Sequence, residues 1–181
     1  MAKLPLLSRD DLDTQGQEIY DKLIGPRDGL SGMYRTLLNH PELARHVGEL
    51  GTYLRYQSEL AGDIRELGIL ATARALGAAF VWEKHIAPAE RAGLPNSVIA
   101  QVLEGDIASA NMKRLYLYTW QVAEDVVHHR SIAKHTQDCL VEELGIKGFL
   151  DLVMACGMYR MVSTVVFSFD VPLPEEGEPP F

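Results

Sequence analysis

Residues 65–94 read RELGILATARALGAAFVWEKHIAPAERAGL, and this stretch decides the fold. Its first half, entered through Asp63-Ile64, is rich in Ala and Leu and reads as a helix over about 63–76. Gly77 breaks that helix. A second helix follows over about 79–92, with Gly93 fitting its C′ position and Pro95 just beyond as a strong stop. Two antiparallel helices joined by a tight turn bring the start of the first level with the far part of the second. The spacing therefore permits Glu66 to meet His85. An imidazole accepts or donates a proton near neutral pH, and a nearby carboxylate fixes its tautomer and raises its basicity. The alternative for the pair is a structural salt bridge between helices.

Outward from this hairpin the hydrophobic period stays helical. Leu12, Ile19 and Leu23 line one face of a first helix after Asp10-Asp11, and the Gly-rich segment IGPRDGLSGM reads as a loop. Pro41 opens the next helix, with His40 as its entry residue and Leu43, Val47, Leu50 and Leu54 on its apolar face. Beyond the central hairpin, a short helix spans 97–104 and ends at Gly105. Ser109 is placed to cap a long helix reaching Asp125 or His128. Ser131 is placed to cap another that ends at Gly145, and a last helix covers about 147–168. The β-branched run from Val162 to Phe167 lies inside this helical pattern. The tail from Val171 to Phe181, VPLPEEGEPPF, is acidic and proline-rich and is expected to be extended. The expectation is an all-α single domain, residues 1–181, of about seven to eight helices.

A chain of 181 residues suits one core, and 47% hydrophobic with 23% charged residues is ordinary for a globular protein. A net charge of −8 with scattered basic residues argues against a nucleic-acid partner. The N-terminus has no sustained apolar run of the secretory kind. The most apolar stretch, Phe149 to Phe169, is interrupted by Asp151 and Arg160 and diluted by hydroxyls, so it reads as a core or interface helix rather than a membrane span. The two cysteines, Cys139 and Cys156, read as reduced, buried thiols of a cytoplasmic protein.

The quoted stretch resembles the signature of the carboxymuconolactone decarboxylase family, which includes the AhpD-like alkylhydroperoxidases. The peroxidase branch carries E-x11-C-x2-C-x3-H, and that frame reads Glu66, Ala78, Val81 and His85 here. The flanks resemble the cysteine-free branch, whose members carry an E-W-x-x-H-like run before A-x-x-A-G-L. In this chain Val81 replaces the acidic residue of that run while Trp82 and His85 remain. The resemblance extends less specifically through GPRDGLSGMYRTLLNHPELA and GFLDLV. It implies an AhpD-like helical bundle and a homo-oligomer, commonly a dimer, trimer or hexamer in the family. The helix from Phe149 to Phe169 resembles the family's oligomer-forming helices.

A thiol peroxidase needs one thiolate to attack the peroxide and a second thiol to resolve the sulfenic acid. Ala78 and Val81 do neither, which argues against peroxidase activity. Acid–base chemistry remains. By resemblance, His85 is the proton donor and acceptor and Glu66 its orienter, in a cofactor-independent lyase, decarboxylase or isomerase acting on a small carboxylated or lactone-like metabolite. No metal or organic cofactor is implied. A non-catalytic oligomeric binding protein is the alternative from a different class. An acidic substrate also needs a cation, and the sequence leaves Arg55, Arg65 and Arg74 open. Trp82, Val81 and Ala78 are candidate pocket residues on the His85 helix. Tyr34 and Tyr56 are candidate phenolic donors to an oxyanion, and His46 is a candidate pocket residue against an interface histidine as its plainer reading. His128, His129 and His135 lack the spacing of a metal site and read as a solvated helix end.

Overall fold

The computed structural model describes residues 3–25, 27, 29–108, 110–173 and 180–181. These residues form eight α-helices and no strand: α1 (Thr14–Ile24), α2 (Gly32–Leu37), α3 (Pro41–Thr52), α4 (Gly62–Leu76), α5 (Ala79–Arg91), α6 (Asn96–Glu104), α7 (Arg114–Val127) and α8 (Lys134–Ser168). A π-helical turn, Tyr53–Gln57, continues α3. The all-α expectation holds. The proposed Ser109 cap and most of the tail, residues 174–179, lie outside the described residues.

Helix α4 is the centre of the bundle, packed against α5, α6, α7 and α8. From Leu67 to Ala73 every residue is buried, so the Ala- and Leu-rich composition reports burial on all sides rather than one amphipathic stripe. Gly77 ends α4 at φ 64°, in the left-handed region that a side chain disfavours, and α5 starts two residues later. This abrupt reversal folds α5 back along α4.

Four sequence expectations need correction. Helix α2 forms inside the segment read as a Gly-rich loop; Met33, Tyr34, Thr36 and Leu37 are buried. Leu43 is exposed, and α3 turns Ala44, Gly48 and Gly51 inward instead. A Cβ at Gly51 would stand 2.7 Å from Met158 Cε and 2.8 Å from the Tyr34 hydroxyl. Close approach, not bulk, therefore selects the inner face of α3. Helix α7 starts at Arg114 with Lys113 at its cap. Finally, the expected last two helices are two arms of α8, broken at Gly145 (φ 69°, ψ 167°), and the first arm begins after Ala133 rather than at Ser131.

By length and composition α8 is apolar enough to cross a membrane. It packs against α4 and α7, with Leu140, Leu152, Ala155, Cys156 and Val162 buried. Its buried Asp151 accepts hydrogen bonds from Ser58 Oγ at 2.6 Å and the Tyr53 hydroxyl at 3.2 Å. The acidic side chain thereby ties both flanks of the π-turn to α8.

Candidate active site

Glu66 sits in the second turn of α4 and His85 in the second turn of α5, at 1% and 4% exposure. His85 Nδ1 lies 2.7 Å from Glu66 Oε2, and Arg65 Nε donates to Glu66 Oε1 at 3.2 Å. An unpaired buried carboxylate is costly, so Glu66 needs these partners. Burial alone would raise its pKa. The His85 hydrogen bond and the charges around it, including Arg65 and Arg55, outweigh burial and hold the carboxyl below its usual range. For His85 the balance differs. Burial lowers its pKa, the Glu66 bond and charge oppose that, Arg55 and Arg65 add to it, and the net shift is downward. The resting pair is thus carboxylate and neutral imidazole, with Nδ1–H donating to Glu66 and Nε2 without a hydrogen-bond partner among the described residues.

Beside this pair opens a cavity of about 590 Å³, the size of a small-molecule site. His85, Val81, Phe80, Met158 and Val162 contribute to its wall, together with Tyr34, Tyr56 and Tyr159. The Tyr159 ring meets the His85 ring edge to face, centroids 4.7 Å apart at 84°. Burial keeps its phenol protonated by raising its pKa. Four cations, Arg27, Arg55, Lys84 and Arg91, line the cavity against one carboxylate, Glu83. In a chain of net charge −8 this is a local excess of positive charge.

The π-turn swings Arg55 and Tyr56 into the lining, with the Arg55 guanidinium 5.0 Å from the Tyr56 ring centroid. Such turns are rare and concentrate at functional sites. Of the sequence-derived candidates, His85, Val81, Tyr34 and Tyr56 line the cavity. Three do not. Ala78 is fully buried at the start of α5. Trp82 is buried and meets Phe181 edge to face, ring centroids 5.6 Å apart. His46 projects to solvent at 66% side-chain exposure, because α3 faces inward through Ala44, Gly48 and Gly51. Among the three arginines left open, Arg65 serves Glu66, and Arg74 donates to the Leu103 carbonyl at 2.7 Å and lies against the Phe181 ring. Arg55 alone of the three borders the cavity. Sequence reading missed Tyr159, which sits in the apolar run of α8.

The frame around these residues is shared more widely. Residues 41–125 match the Carboxymuconolactone decarboxylase family. The chain is thus similar to this family over somewhat less than half of its length. The matched span contains Arg55, Glu66 and His85 and stops before Tyr159. Among solved structures, an uncharacterised peroxidase-related protein with an alkylhydroperoxidase AhpD core, from Ralstonia eutropha JMP134, is similar at TM-score 0.77 and 15% identity. That match covers 96% of this chain and 93% of the other. An alanine variant of the debrominase Bmp8 in complex with 2,3,4-tribromopyrrole gives TM-score 0.72 at 13% identity, covering 99% and 94% of the two chains. Apo Bmp8 gives 0.71 at 13% identity, covering 98% and 93%. A comparison with curated proteins gives no match. An AhpD-like fold is thus present across nearly the whole chain, with Ala78 and Val81 between Glu66 and His85.

Proposed function

We propose that this protein is a cofactor-independent lyase, decarboxylase or isomerase that moves a proton on a small carboxylated or lactone-like metabolite, with His85 as acid and base and Glu66 as its orienter. The observation that carries the reading is the buried Glu66–His85 hydrogen bond at 2.7 Å on the wall of a cation-lined cavity. In a decarboxylation, the C–C bond to the carboxylate breaks and its electron pair moves into a conjugated carbonyl as carbon dioxide leaves. His85 Nε2 first takes a proton from solvent, with ionised Glu66 stabilising the imidazolium so formed, and then gives that proton to carbon of the dienolate-like intermediate, returning to the neutral imidazole. In an isomerisation, Nε2 removes a proton next to the carbonyl and returns it to another carbon of the conjugated system. The debrominase neighbour, seen with a brominated pyrrole, supports a small ring as the size class. Thiol peroxidase activity finds no support, since Cys139 and Cys156 are both buried and neither lines the cavity.

Carbon dioxide release from a panel of carboxylated lactones and β-keto acids tests this reading. A turned-over substrate whose reaction collapses in His85→Ala and falls in Glu66→Gln, with the fold intact, is the expected result. Unchanged turnover in His85→Ala overturns the assignment.

The same reading takes the protein as a homo-oligomer. Ile146, Leu150, Met154 and Met161 are exposed along one side of the second arm of α8, an apolar stripe that water covers poorly. Sedimentation of the wild type against Leu150→Glu/Met154→Glu should show a fall in mass. An unchanged mass would remove this stripe as the interface.

A further inference from the structure

Arg55 has an environment unlike that of any other cation around the cavity. Arg27 is committed to the fold: it donates to the Leu23 carbonyl at 2.6 Å, the Gly48 carbonyl at 3.1 Å, Thr52 Oγ1 at 3.1 Å and the Tyr34 hydroxyl at 3.2 Å. Lys84 and Arg91 are exposed residues of α5 at the rim. Arg55 is half-buried and makes no hydrogen bond or ion pair with any described residue, and its Nε is buried without an acceptor. A guanidinium offers five donors in a rigid fork suited to a carboxylate, and leaving it unpaired inside a protein is costly. Its backbone is fixed: Ser58 N–H bonds the Tyr53 carbonyl at 2.8 Å across the π-turn, and Asp151 holds the Tyr53 and Ser58 side chains. Tyr159 lines the same cavity with a buried phenol that has no hydrogen-bond partner among the described residues. The two groups are close enough for the Arg55 charge to act on that phenol.

We propose that Arg55 and Tyr159 together form the anion-holding half of this site, Arg55 receiving a carboxylate of the ligand through its guanidinium and Tyr159 donating its hydroxyl to the same anionic group. This deepens the acid–base reading above and rests on it only for the role of His85. A ligand held there has one end fixed by two donors and leaves the carbon skeleton to the apolar wall of Phe80, Val81 and Met158 beside His85. Arg55 then sets which molecules enter, and His85 sets what happens to them.

The probe is benzoate, with neutral benzamide as its near-isostere, titrated into the full chain by NMR. Wild type should bind benzoate at least about tenfold more tightly than benzamide, and Arg55→Ala should remove that preference, a loss of roughly ten- to hundredfold for a charge-assisted contact. Arg55→Gln repeats the test with little change of volume, and Arg55→Lys should keep part of the preference because it keeps the charge without the fork. Tyr159→Phe should weaken benzoate by about threefold to tenfold and leave benzamide unmoved. His85→Ala should retain benzoate binding, so loss of the anion site and loss of the proton-transfer site give different results. Equal affinity for the two probes in the wild type overturns the proposal. So does benzoate binding that survives Arg55→Gln but disappears in Lys84→Ala/Arg91→Ala, which would assign the preference to the rim.

Discussion

Replacing Glu66 by glutamine keeps the shape of the side chain and removes one of its two acceptor ends. The carboxylate now accepts from His85 Nδ1 at 2.7 Å and from Arg65 Nε at 3.2 Å. An amide has one oxygen and one NH2, so both donors cannot be satisfied as they stand. Arg65 is always a donor. The neutral imidazole can exchange its tautomer. The amide oxygen should therefore turn to Arg65 and the NH2 to Nδ1, which passes its proton to Nε2. The nitrogen left free in the wild type then becomes a donor instead of a base. Exchanging a charge-assisted bond for a neutral one costs about 1–2 kcal/mol, which lowers Tm by roughly 2–8 °C in a domain of this size. Once a substrate is in hand, turnover should fall about 10²- to 10⁴-fold, the usual contribution of a positioned acid–base group. Two measurements check this without a substrate: long-range ¹H–¹⁵N correlation of the His85 ring, and calorimetric melting. A Glu66→Gln protein that keeps the Nδ1–H tautomer and the wild-type Tm would refute the reasoning.

Stability should also fall on acidification. His85 is held below its ordinary 6.5, so the unfolded chain binds more protons than the folded one once pH drops past about 6.5. Its contribution is complete above that pH and is lost on the way down; Glu66, lowered from 4.5, adds a second loss at more acid pH. Melting between pH 8 and 4 should show a decline that His85→Asn flattens below about 6.5, and an identical profile in that variant would exclude His85 as the source. Gly68→Ala would place a Cβ 2.7 Å from Leu152 Cδ1, where α4 meets α8. Urea unfolding should register a loss of about 1–3 kcal/mol, partly restored by Leu152→Val; an unaffected midpoint would show that this contact has slack. Cys156 is fully buried with its thiol pushed up to about 11, and Cys139 is buried as well. Native protein should react slowly with a thiol reagent and fully after unfolding, and it should not reduce peroxide with a dithiol donor. Rapid stoichiometric labelling, or peroxide turnover that Cys139→Ser or Cys156→Ser abolishes, would contradict this.

Punctuation made most of the helices legible. Pro41, Gly77, Gly93 and Gly105 mark where backbone conformation must change, and the observed ends follow them. Glu66 and His85 were legible because a tight reversal after Gly77 leaves few ways to pair the helices. The inner face of α3 was not. Gly48 and Gly51 pack by close approach, which a hydrophobic period does not register, so Leu43 and His46 were assigned to a face that points to water. Nothing in YLRYQ announces a π-turn, and without that turn Arg55 had no better claim than Arg65 or Arg74. Tyr159 was hidden for another reason. An aromatic residue in an apolar helix looks like core, and only the path of α8 across His85 makes it a neighbour of that imidazole.

The π-turn has a consequence for how this site can be inherited. A turn closed from residue 58 to residue 53 holds one residue more than an α-helical turn, so it behaves as a single-residue insertion absorbed without breaking the helix. Deleting one residue there would restore the ordinary ladder and rotate the chain on one side of the turn by about 100° relative to the chain on the other. Arg55 would turn away from its present place in the lining although no residue other than the deleted one is replaced. Relatives that share Glu66 and His85 can thus differ in the molecules they admit through a length change alone, and an aligned column of arginines would not reveal it.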